Sequence, residues 1–420
     1  MMKRIKIFFL VILMIISFNF NCTYIYADDS EDNTTVTSDR IFDVTSKNVI
    51  LYNLDDKNII YEKDSNKKVE IASLTKIMTT LVAIENISDL DKDVVITSEV
   101  FRGIEEYSQA GLSIGDKVKF KDLLYGVMLP SGADCVRAVI LNMGKSNDEF
   151  VKLMNDKAKE LGLKNTKFDN AIGMDSDDNY STAGDIAKLL MYALDNEIFK
   201  TIYTTKSYTI SSINLKLNST LVSYANRLDT SNILGAKSGF TDGAGLCLSS
   251  IAKFNDINYL LVVLGADTSS KSNAVKDSLE IYDYYAKNYG YIRVLKKDQV
   301  LKKIDVKWGS IDKYEVKSDK DISVYLKNTV KSDDIDYSYE GIDELTYKNK
   351  LGDKLGVVTV KYDGKVLTKF DVYLDEYISY YHPVIYGVMA LAVILMIISL
   401  KQMKNKKKKK KRKKRKKNKR

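Results

Sequence analysis

The chain is poor in histidine, proline and cysteine, with one, two and three of them in 420 residues. Its histidine, His382, lies beside Pro383 at the edge of an apolar run near the C-terminus. The body of the chain therefore cannot form a Ser-His-Asp triad or a zinc site built on histidine. If the protein is a serine hydrolase, its general base must be a lysine or a carboxylate.

The three cysteines are too few for a disulfide framework. Cys22 belongs to the N-terminal leader, which leaves Cys135 and Cys247 for the body of the chain. The sequence does not show whether these two residues pair. We expect two buried free thiols, because an unpaired cysteine behaves as a small apolar side chain.

The formal net charge of +9 comes from the two ends of the chain. Residues 401–420 contain sixteen Lys or Arg and no acid, and Lys3, Arg4 and Lys6 precede the first apolar run. Without these nineteen residues, 46 basic residues face 56 acidic residues, so the body of the chain is acidic. This balance argues against a nucleic-acid-binding protein.

The N-terminal end has the composition of a targeting segment. Residues 1–27 are predicted to be a secretory signal peptide, with a basic start, an apolar middle and Ala27 before two aspartates. A retained membrane anchor is the alternative for this segment. Residues 28–40 are polar and acidic, and we expect them to form a flexible lead-in.

The apolar run near the C-terminus is predicted to be a transmembrane helix over residues 383–400, close to the lower length limit for a span. The polybasic segment 401–420 follows at once. The positive-inside rule places this tail in the cytoplasm, beside anionic lipids, and the body of the chain outside the cell membrane. A nucleic-acid-binding tail is the competing interpretation, and we disfavour it because the adjacent span already explains the charge.

Between these ends, helical and strand patterns follow one another in a way that favours an α+β fold. Apolar runs within Val49–Glu62 predict a β-hairpin, and Ala236–Val263 predicts further paired strands. The predicted helices begin after Ser73, at Asp122, after the capping residues Ser146 and Thr182, and at Ala274. From about Arg293 to Ile378, short alternating runs separated by Lys, Asp and Gly are typical of a small all-β domain.

A serine and a lysine stand three residues apart at the start of the first predicted helix, at Ser73 and Lys76. On a helix, residues i and i+3 are neighbours on one face. The lysine amine can then take the proton of the serine hydroxyl, provided that burial or a nearby positive charge lowers the pKa of the lysine. This pair alone is a weak signal, because it also occurs on exposed helices.

Two further motifs strengthen the signal. Ser131 lies between two predicted helical segments, and Lys237-Ser238-Gly239 opens the later pair of strands. Ser-x-x-Lys, a second serine and Lys-[Thr/Ser]-Gly in this order are the signature of penicillin-binding proteins and serine β-lactamases.

Around these motifs the sequence resembles the serine D-alanyl-D-alanine carboxypeptidases of peptidase family S11, which are low-molecular-mass penicillin-binding proteins. The residues that carry the resemblance are Ile71–Thr79, Asp122–Gly126, Leu129–Gly132, Tyr180–Ala183 with Asp185, and Gly235–Thr241 with Ala244, Gly245 and Cys247. The resemblance implies an α+β transpeptidase domain of the penicillin-binding and β-lactamase type, an antiparallel sheet flanked by helices, over residues 41–290. A small β-sandwich-like domain over residues 291–378 and the C-terminal transmembrane helix would follow it.

The resemblance also implies a role for each site residue. Ser73 would attack the carbonyl between two D-alanines and form an acyl-enzyme, with Lys76 as the general base. Ser131 would relay a proton to the leaving group. Lys237 and Ser238 would hold the terminal carboxylate of the substrate. The backbone N–H groups of Ser73 and Phe240 would form the oxyanion hole.

Three features depart from the family pattern. The second motif is usually Ser-x-Asn, but Ala133 stands at its third position, and we expect the neighbouring Asp134 to point elsewhere. Ser238 replaces the more common threonine and keeps its hydroxyl. The usual Pro-His is missing near Ala171–Gly173, and we interpret this change as peripheral to the site.

The predicted function is removal of the terminal D-alanine from peptidoglycan stem peptides at the outer face of the cell membrane. Stem peptides, β-lactam antibiotics and the membrane are the expected partners, and no metal or organic cofactor is implied. One alternative is a catalytically weak protein that binds peptidoglycan or senses β-lactams, because Ala133 replaces an asparagine. A β-lactamase is disfavoured, because Glu160–Asn165 does not match the Glu-x-x-Leu-Asn motif that activates its deacylating water.

Overall fold

The computed structural model describes residues 42–381 and 383–417. The predicted signal peptide with Cys22, the predicted lead-in and His382 lie outside the described residues. The described strands, in chain order, are β1 (Asn48–Asn53), β2 (Asn58–Lys63), β3 (Val69–Glu70), β4 (Asp93–Val95), β5 (Lys117–Lys119), β6 (Tyr180–Ser181), β7 (Ser207–Ile210), β8 (Leu215–Asn218), β9 (Ile233–Thr241), β10 (Gly245–Phe254), β11 (Ile257–Ala266), β12 (Tyr289–Leu295), β13 (Val300–Val306), β14 (Lys313–Lys317), β15 (Ile322–Lys327), β16 (Ile335–Gly341), β17 (Glu344–Leu345), β18 (Lys354–Tyr362) and β19 (Lys365–Tyr373). The described α-helices are α1 (Thr75–Asn86), α2 (Phe120–Met128), α3 (Ala133–Asn142), α4 (Asn147–Glu160), α5 (Ala183–Leu194), α6 (Glu197–Thr204), α7 (Asn273–Asn288) and α8 (Pro383–Lys417).

An antiparallel sheet of five strands, in the order β2-β1-β11-β10-β9, positions the rest of the first part of the chain. Strands β1 and β2 form the hairpin predicted from the sequence, and β1 also pairs with the distant β11. All six residues of β1 are buried, because helices such as α5 and α7 pack against the sheet. Strand β9 lies at the edge of this sheet with β10 as its neighbour.

Helices α4 and α5 begin directly after the capping residues that the sequence indicates, whereas α2 begins at Phe120 rather than Asp122 and α7 at Asn273 rather than Ala274. The hydroxyl of Ser146 accepts the N–H of Glu149 to cap α4, which ends before Gly162 at a φ of +67°. The hydroxyl of Thr182 caps α5 in the same way. Helix α1 is buried from Thr75 to Ile84, so it lies in the core rather than on the surface.

The part of the chain after α7 forms three small sheets, β12-β15, β14-β13-β17 and β16-β18-β19. Ile304, Val316, Leu345 and Val358 are among the side chains buried in its core. The alternating runs predicted in this region, Val300–Val306, Ile322–Leu326, Val357–Tyr362 and Val366–Val372, correspond to β13, β15, β18 and β19. Strands β12, β14, β16 and β17 were not predicted individually. The predicted domain boundary at residues 290 and 291 falls inside β12 and stays a prediction.

Helix α8 runs without a break from Pro383 to Lys417. Among the described residues, this is the one helix long and apolar enough to cross a membrane, with a mean hydropathy of 2.4 in its apolar part. The predicted span 383–400 forms its first half. The polybasic tail continues the helix over residues 401–417.

Candidate active site

Ser73 lies in a short 3-10 turn, Ala72–Leu74, and the α-helix begins directly after it at Thr75. Lys76 follows one turn later, and its Nζ lies 3.0 Å from the Oγ of Ser73. This is hydrogen-bonding distance between a nucleophile and a base. The i, i+3 spacing seen in the sequence therefore brings the two groups together.

Lys76 is only 2% exposed. Burial lowers its pKa to about 7, although the carboxylate of Asp134 partly opposes the shift. The amine also donates a hydrogen bond of 2.6 Å to the carbonyl oxygen of Ile172. This shift favours the uncharged amine, the form that can accept a proton.

The carbonyl of Ile172 is held in place by a tight loop. The side-chain oxygen of Asn170 accepts the backbone N–H groups of Ile172, Gly173 and Met174. Gly173 has a φ of +88°, and a Cβ at this position would collide with the carbonyl oxygen of Ala72.

The backbone of segment 171–173 contacts the site, because one of its carbonyls accepts a hydrogen bond from Lys76. That the missing Pro-His side chains are peripheral stays a prediction. A backbone carbonyl leaves no signature in the sequence. The asparagine three residues before a glycine was the available signal for the turn that positions it.

Ser131 lies between α2 and α3, as predicted, with its backbone in the left-handed region at a φ of +67°. Its Oγ is buried and makes no hydrogen bond to any described residue. A buried hydroxyl without a partner is uncommon in folded proteins. This hydroxyl therefore has its capacity to donate and accept a hydrogen bond unused among the described residues.

The departure at Ala133 leaves the third position of the second motif without a polar side-chain atom, and this residue is fully buried. The carboxylate of Asp134 accepts the N–H groups of Ala110, Gly111 and Leu112. These hydrogen bonds hold the carboxylate of Asp134 against the loop at residues 110–112.

The edge strand β9 carries Lys237, Ser238 and Phe240. A Cβ on Gly239 would lie 2.9 Å from the backbone nitrogen of Ser73, so glycine lets this strand approach the turn of the nucleophile. Lys237 is fully buried and donates a hydrogen bond of 3.0 Å to the carbonyl of Ser238. Burial, and secondly the positive charge of Lys76, hold the pKa of Lys237 well below its usual range.

A residue that the sequence motifs did not reveal, Thr220, also reaches this strand. Its hydroxyl lies 2.7 Å from the hydroxyl of Ser238. Thr220 belongs to the 3-10 turn Thr220–Tyr224, which no motif marked. Phe240 is 53% exposed, so the predicted oxyanion-hole residue lies at an open rim.

These segments enclose a groove of roughly 200 Å³. Its lining includes Ser73, Ser131, Thr220, Ser238 and Phe240. The fold therefore brings together residues from the three motifs that are far apart in the sequence.

Two thiols lie near this region but are poor nucleophiles. Cys135 and Cys247 are both buried and unpaired, as expected from the sequence. Burial raises the pKa of Cys247, which lines the groove, to about 12, and that of Cys135 well above its usual range. Ser73 with its basic neighbour remains the nucleophile that the geometry favours.

The family comparisons agree with this geometry. The family description "D-alanyl-D-alanine carboxypeptidase" (peptidase S11) matches residues 32–268, and "penicillin-binding protein 5, C-terminal domain" matches residues 289–380. The chain belongs to the S11 family of D-alanyl-D-alanine carboxypeptidases. The family resemblance and the enzyme class predicted from the motifs are thereby confirmed.

Among the relatives of this S11 protein, DacF of Bacillus subtilis is 31% identical over 341 residues, which cover 79% of this chain and 85% of DacF. DacA of Escherichia coli is 27% identical over 357 residues, covering 81% and 85% of the two chains. Both are named D-alanyl-D-alanine carboxypeptidases.

Solved structures show the same architecture. Penicillin-binding protein 5 of Haemophilus influenzae superposes with a TM-score of 0.61 at 22% identity, covering 80% of this chain and 98% of that one. The Streptomyces K15 DD-transpeptidase superposes with a TM-score of 0.52 at 29% identity, covering 57% of this chain and 97% of that one. The predicted fold class, a penicillin-binding α+β domain followed by an all-β domain, is confirmed. As an S11 carboxypeptidase the chain acts on peptidoglycan, and the family works through a serine acyl-enzyme.

Proposed function

We propose that Ser73 is the nucleophile of this carboxypeptidase and Lys76 its general base. The observation that carries the proposal is the 3.0 Å contact between the Oγ of Ser73 and the Nζ of Lys76. Burial of Lys76, which lowers its pKa to about 7, supports the same assignment. The base can then be neutral at physiological pH without histidine.

In the proposed reaction, the oxygen of Ser73 attacks the carbonyl of the penultimate D-alanine while its proton passes to Lys76. The peptide bond breaks, and the terminal D-alanine leaves after its nitrogen receives a proton through the hydroxyl of Ser131. Water then attacks the acyl-enzyme and restores Ser73. The backbone N–H groups of Ser73 and Phe240 would stabilise the oxyanion in both steps.

Lys237 and Ser238 would hold the carboxylate of the terminal D-alanine. Both lie on the edge strand that borders the groove. An isolated buried ammonium is costly, which is why the pKa of Lys237 is lowered in the free protein. A carboxylate that binds beside it favours the charged form and supplies the missing partner.

We further propose that the enzyme works at the outer face of the cell membrane, anchored by α8. The length and apolarity of α8 support an anchor, and the basic tail that follows supports a cytoplasmic end facing anionic lipids. The catalytic groove would then face peptidoglycan stem peptides. β-Lactams, which carry a carbonyl and a carboxylate, would acylate Ser73 in the same groove.

The test measures D-alanine release from an acyl-D-Ala-D-Ala peptide and the mass of the penicillin adduct, using the full chain in detergent. Ser73→Ala should abolish both. Ser108→Ala removes another serine hydroxyl that lines the groove, and we expect it to keep both. Release that persists in Ser73→Ala, or an adduct located on Ser108, would refute the assignment.

A second function, binding or sensing without turnover, is favoured by one observation, the buried alanine at position 133. A lasting penicillin adduct on Ser73 without peptide release would support this second function. Ala133→Asn restores the family's amide. Turnover that appears only in this variant would identify Ala133 as the cause of the low activity.

A further inference from the structure

Exposed aromatic side chains gather where the all-β part of the chain leads into α8. Trp308, Tyr377 and Tyr381 are 53%, 83% and 47% exposed. Trp308 is the one tryptophan of the sequence and stands in the turn between β13 and β14 with a φ of +59°. A bulky residue with this backbone conformation is rare and strained. Packing within the protein does not explain a strained tryptophan that is half exposed.

This turn is tied to the residues that precede α8. The backbone N–H of Tyr381 donates to the carbonyl of Trp308 at 2.6 Å, and the N–H of Ser310 donates to the carbonyl of Ser379 at 2.8 Å. The ring of Tyr381 in turn meets the ring of Tyr386, in the first turns of α8, edge to face at 6.0 Å. The turn with Trp308 is therefore fixed next to the start of the apolar helix.

The length of the apolar run sets the depth of this turn. Eighteen residues of helix, 383–400, span about 27 Å, close to the roughly 30 Å thickness of the hydrocarbon layer. The run has little excess length, so Val384 has to lie near the boundary of the hydrocarbon. Trp308, bonded to Tyr381, then lies at the level of the lipid headgroups, where Trp and Tyr side chains are favoured.

We propose that an aromatic edge formed by Trp308, Ile311, Tyr377 and Tyr381 inserts into the headgroup and glycerol layer of the membrane that holds α8. This inference rests on the membrane anchoring proposed above. It adds a second point of contact, which restricts how the all-β part of the chain can tilt about the anchor. The catalytic groove is thereby kept in a fixed orientation to the membrane.

The charges around the aromatic edge do not suggest electrostatic attachment. Lys307 and Lys313 are exposed there, but so are Asp312 and Glu376. Charges of both signs cancel at the surface of an anionic membrane. The contact would therefore depend on the aromatic and aliphatic side chains, whose apolar parts leave water while their polar atoms stay at the interface.

The single tryptophan makes the test direct. The full chain is reconstituted in phosphatidylcholine–phosphatidylglycerol vesicles, with and without lipids that carry bromine at the upper end of their acyl chains. We expect vesicles to shift the emission of Trp308 to shorter wavelength and to protect it from acrylamide. The brominated lipids should quench it.

A matched control moves the reporter away from the aromatic edge. Trp308→Phe combined with Val366→Trp places the indole at an exposed position early in β19. Tyr373 is the last residue of β19 and precedes Tyr377 by four residues. At about 3.4 Å per residue, the new indole at position 366 lies roughly 24 Å along the strand from Tyr373. We expect the brominated lipids not to quench the emission of this tryptophan. Acrylamide should still quench it.

Flotation of the same vesicles separates the two proposals. If the chain floats but bromine does not quench Trp308, the aromatic edge is refuted and the anchor stands. If the chain does not float, the anchor fails and the edge fails with it. Equal quenching of both reporters would also overturn the proposal, because the contact would not be specific to the edge.

Discussion

At the scale of single residues, two buried lysines determine how a site without histidine can work. Lys76 is 2% exposed and Lys237 is fully buried, and burial lowers the pKa of both. The proposed roles need opposite charge states, a neutral amine at Lys76 and an ammonium at Lys237. Positive charges on both amines would repel each other. A proton on Lys237 therefore favours the neutral amine at Lys76.

This arrangement predicts the pH dependence of acylation by a fluorescent penicillin. Lys76 must be neutral, and its pKa is about 7, so the acylation rate should rise with pH through 7. Well below pH 7, the acylation rate should decrease by about tenfold for each unit of pH. It should fall again well before pH 10.5, when Lys237 loses its proton.

Lys76→Arg is the matched control, because a guanidinium stays protonated at every accessible pH. We expect this variant to show no acylation at any pH while it remains folded. A wild-type rate that stays flat between about pH 5 and 8 would contradict Lys76 as the base.

At the scale of elements, the site depends on two close approaches of backbone to the turn that holds Ser73. Gly239 on β9 and Gly173 in the loop 170–174 each leave room for this turn. The loop also supplies the carbonyl of Ile172 to Lys76. A side chain at either glycine would push against Ala72 and the backbone nitrogen of Ser73. It would therefore displace the groups that surround the hydroxyl of Ser73.

We predict that Gly173→Ala damages the site more than the fold. Its Cβ would collide with the carbonyl of Ala72 and displace the loop, so the contact between Lys76 and Ile172 would be lost. Acylation should fall by about tenfold or more, which corresponds to about 1.4 kcal/mol in the barrier. The measurement is the acylation rate together with the Tm of the full chain in detergent.

Gly162→Ala provides the comparison, since Gly162 also has a positive φ but no atom within 4 Å of the added Cβ. It should cost about 1–2 kcal/mol of stability through backbone strain and leave acylation unchanged. If both variants lose acylation equally, the loop is not acting through its contact with Lys76.

The elements also show how far the sequence alone could predict this protein. Capped helices and the first hairpin were predictable, because Ser146 and Thr182 satisfy free N–H groups and β1 contains the apolar run Val49–Tyr52. The three motifs predicted candidate site residues, of which Ser73, Ser131 and Ser238 line one groove. The carbonyl of Ile172 and the hydroxyl of Thr220 were not predictable, because both reach the site only through tertiary packing.

At the scale of the whole molecule, aromatic side chains connect the central sheet with the all-β part of the chain. The hydroxyl of Tyr259 on β11 lies 3.1 Å from that of Tyr325 on β15. The rings of Tyr259 and Tyr325 meet edge to face at 6.4 Å. Within the all-β part, the ring of Tyr325 also stacks on Tyr289 at 5.7 Å and meets Tyr291 edge to face at 5.8 Å. The contact of Tyr325 with Tyr259 crosses between the two parts, and its contacts with Tyr289 and Tyr291 hold β15 against β12. We therefore expect the two parts to unfold as one unit.

Tyr325→Ala should therefore separate the unfolding of the two parts. Aromatic pairs contribute about 0.5–1.5 kcal/mol each, and the loss of three ring contacts and one hydrogen bond should cost about 3 kcal/mol. Calorimetry of the full chain in detergent should show one transition for the wild type and two for this variant. Tyr325→Phe keeps the ring contacts and loses only the hydroxyl, so it should keep one transition with a slightly lower Tm. A single, unshifted transition in Tyr325→Ala would mean that the contacts of Tyr325 do not couple the two parts.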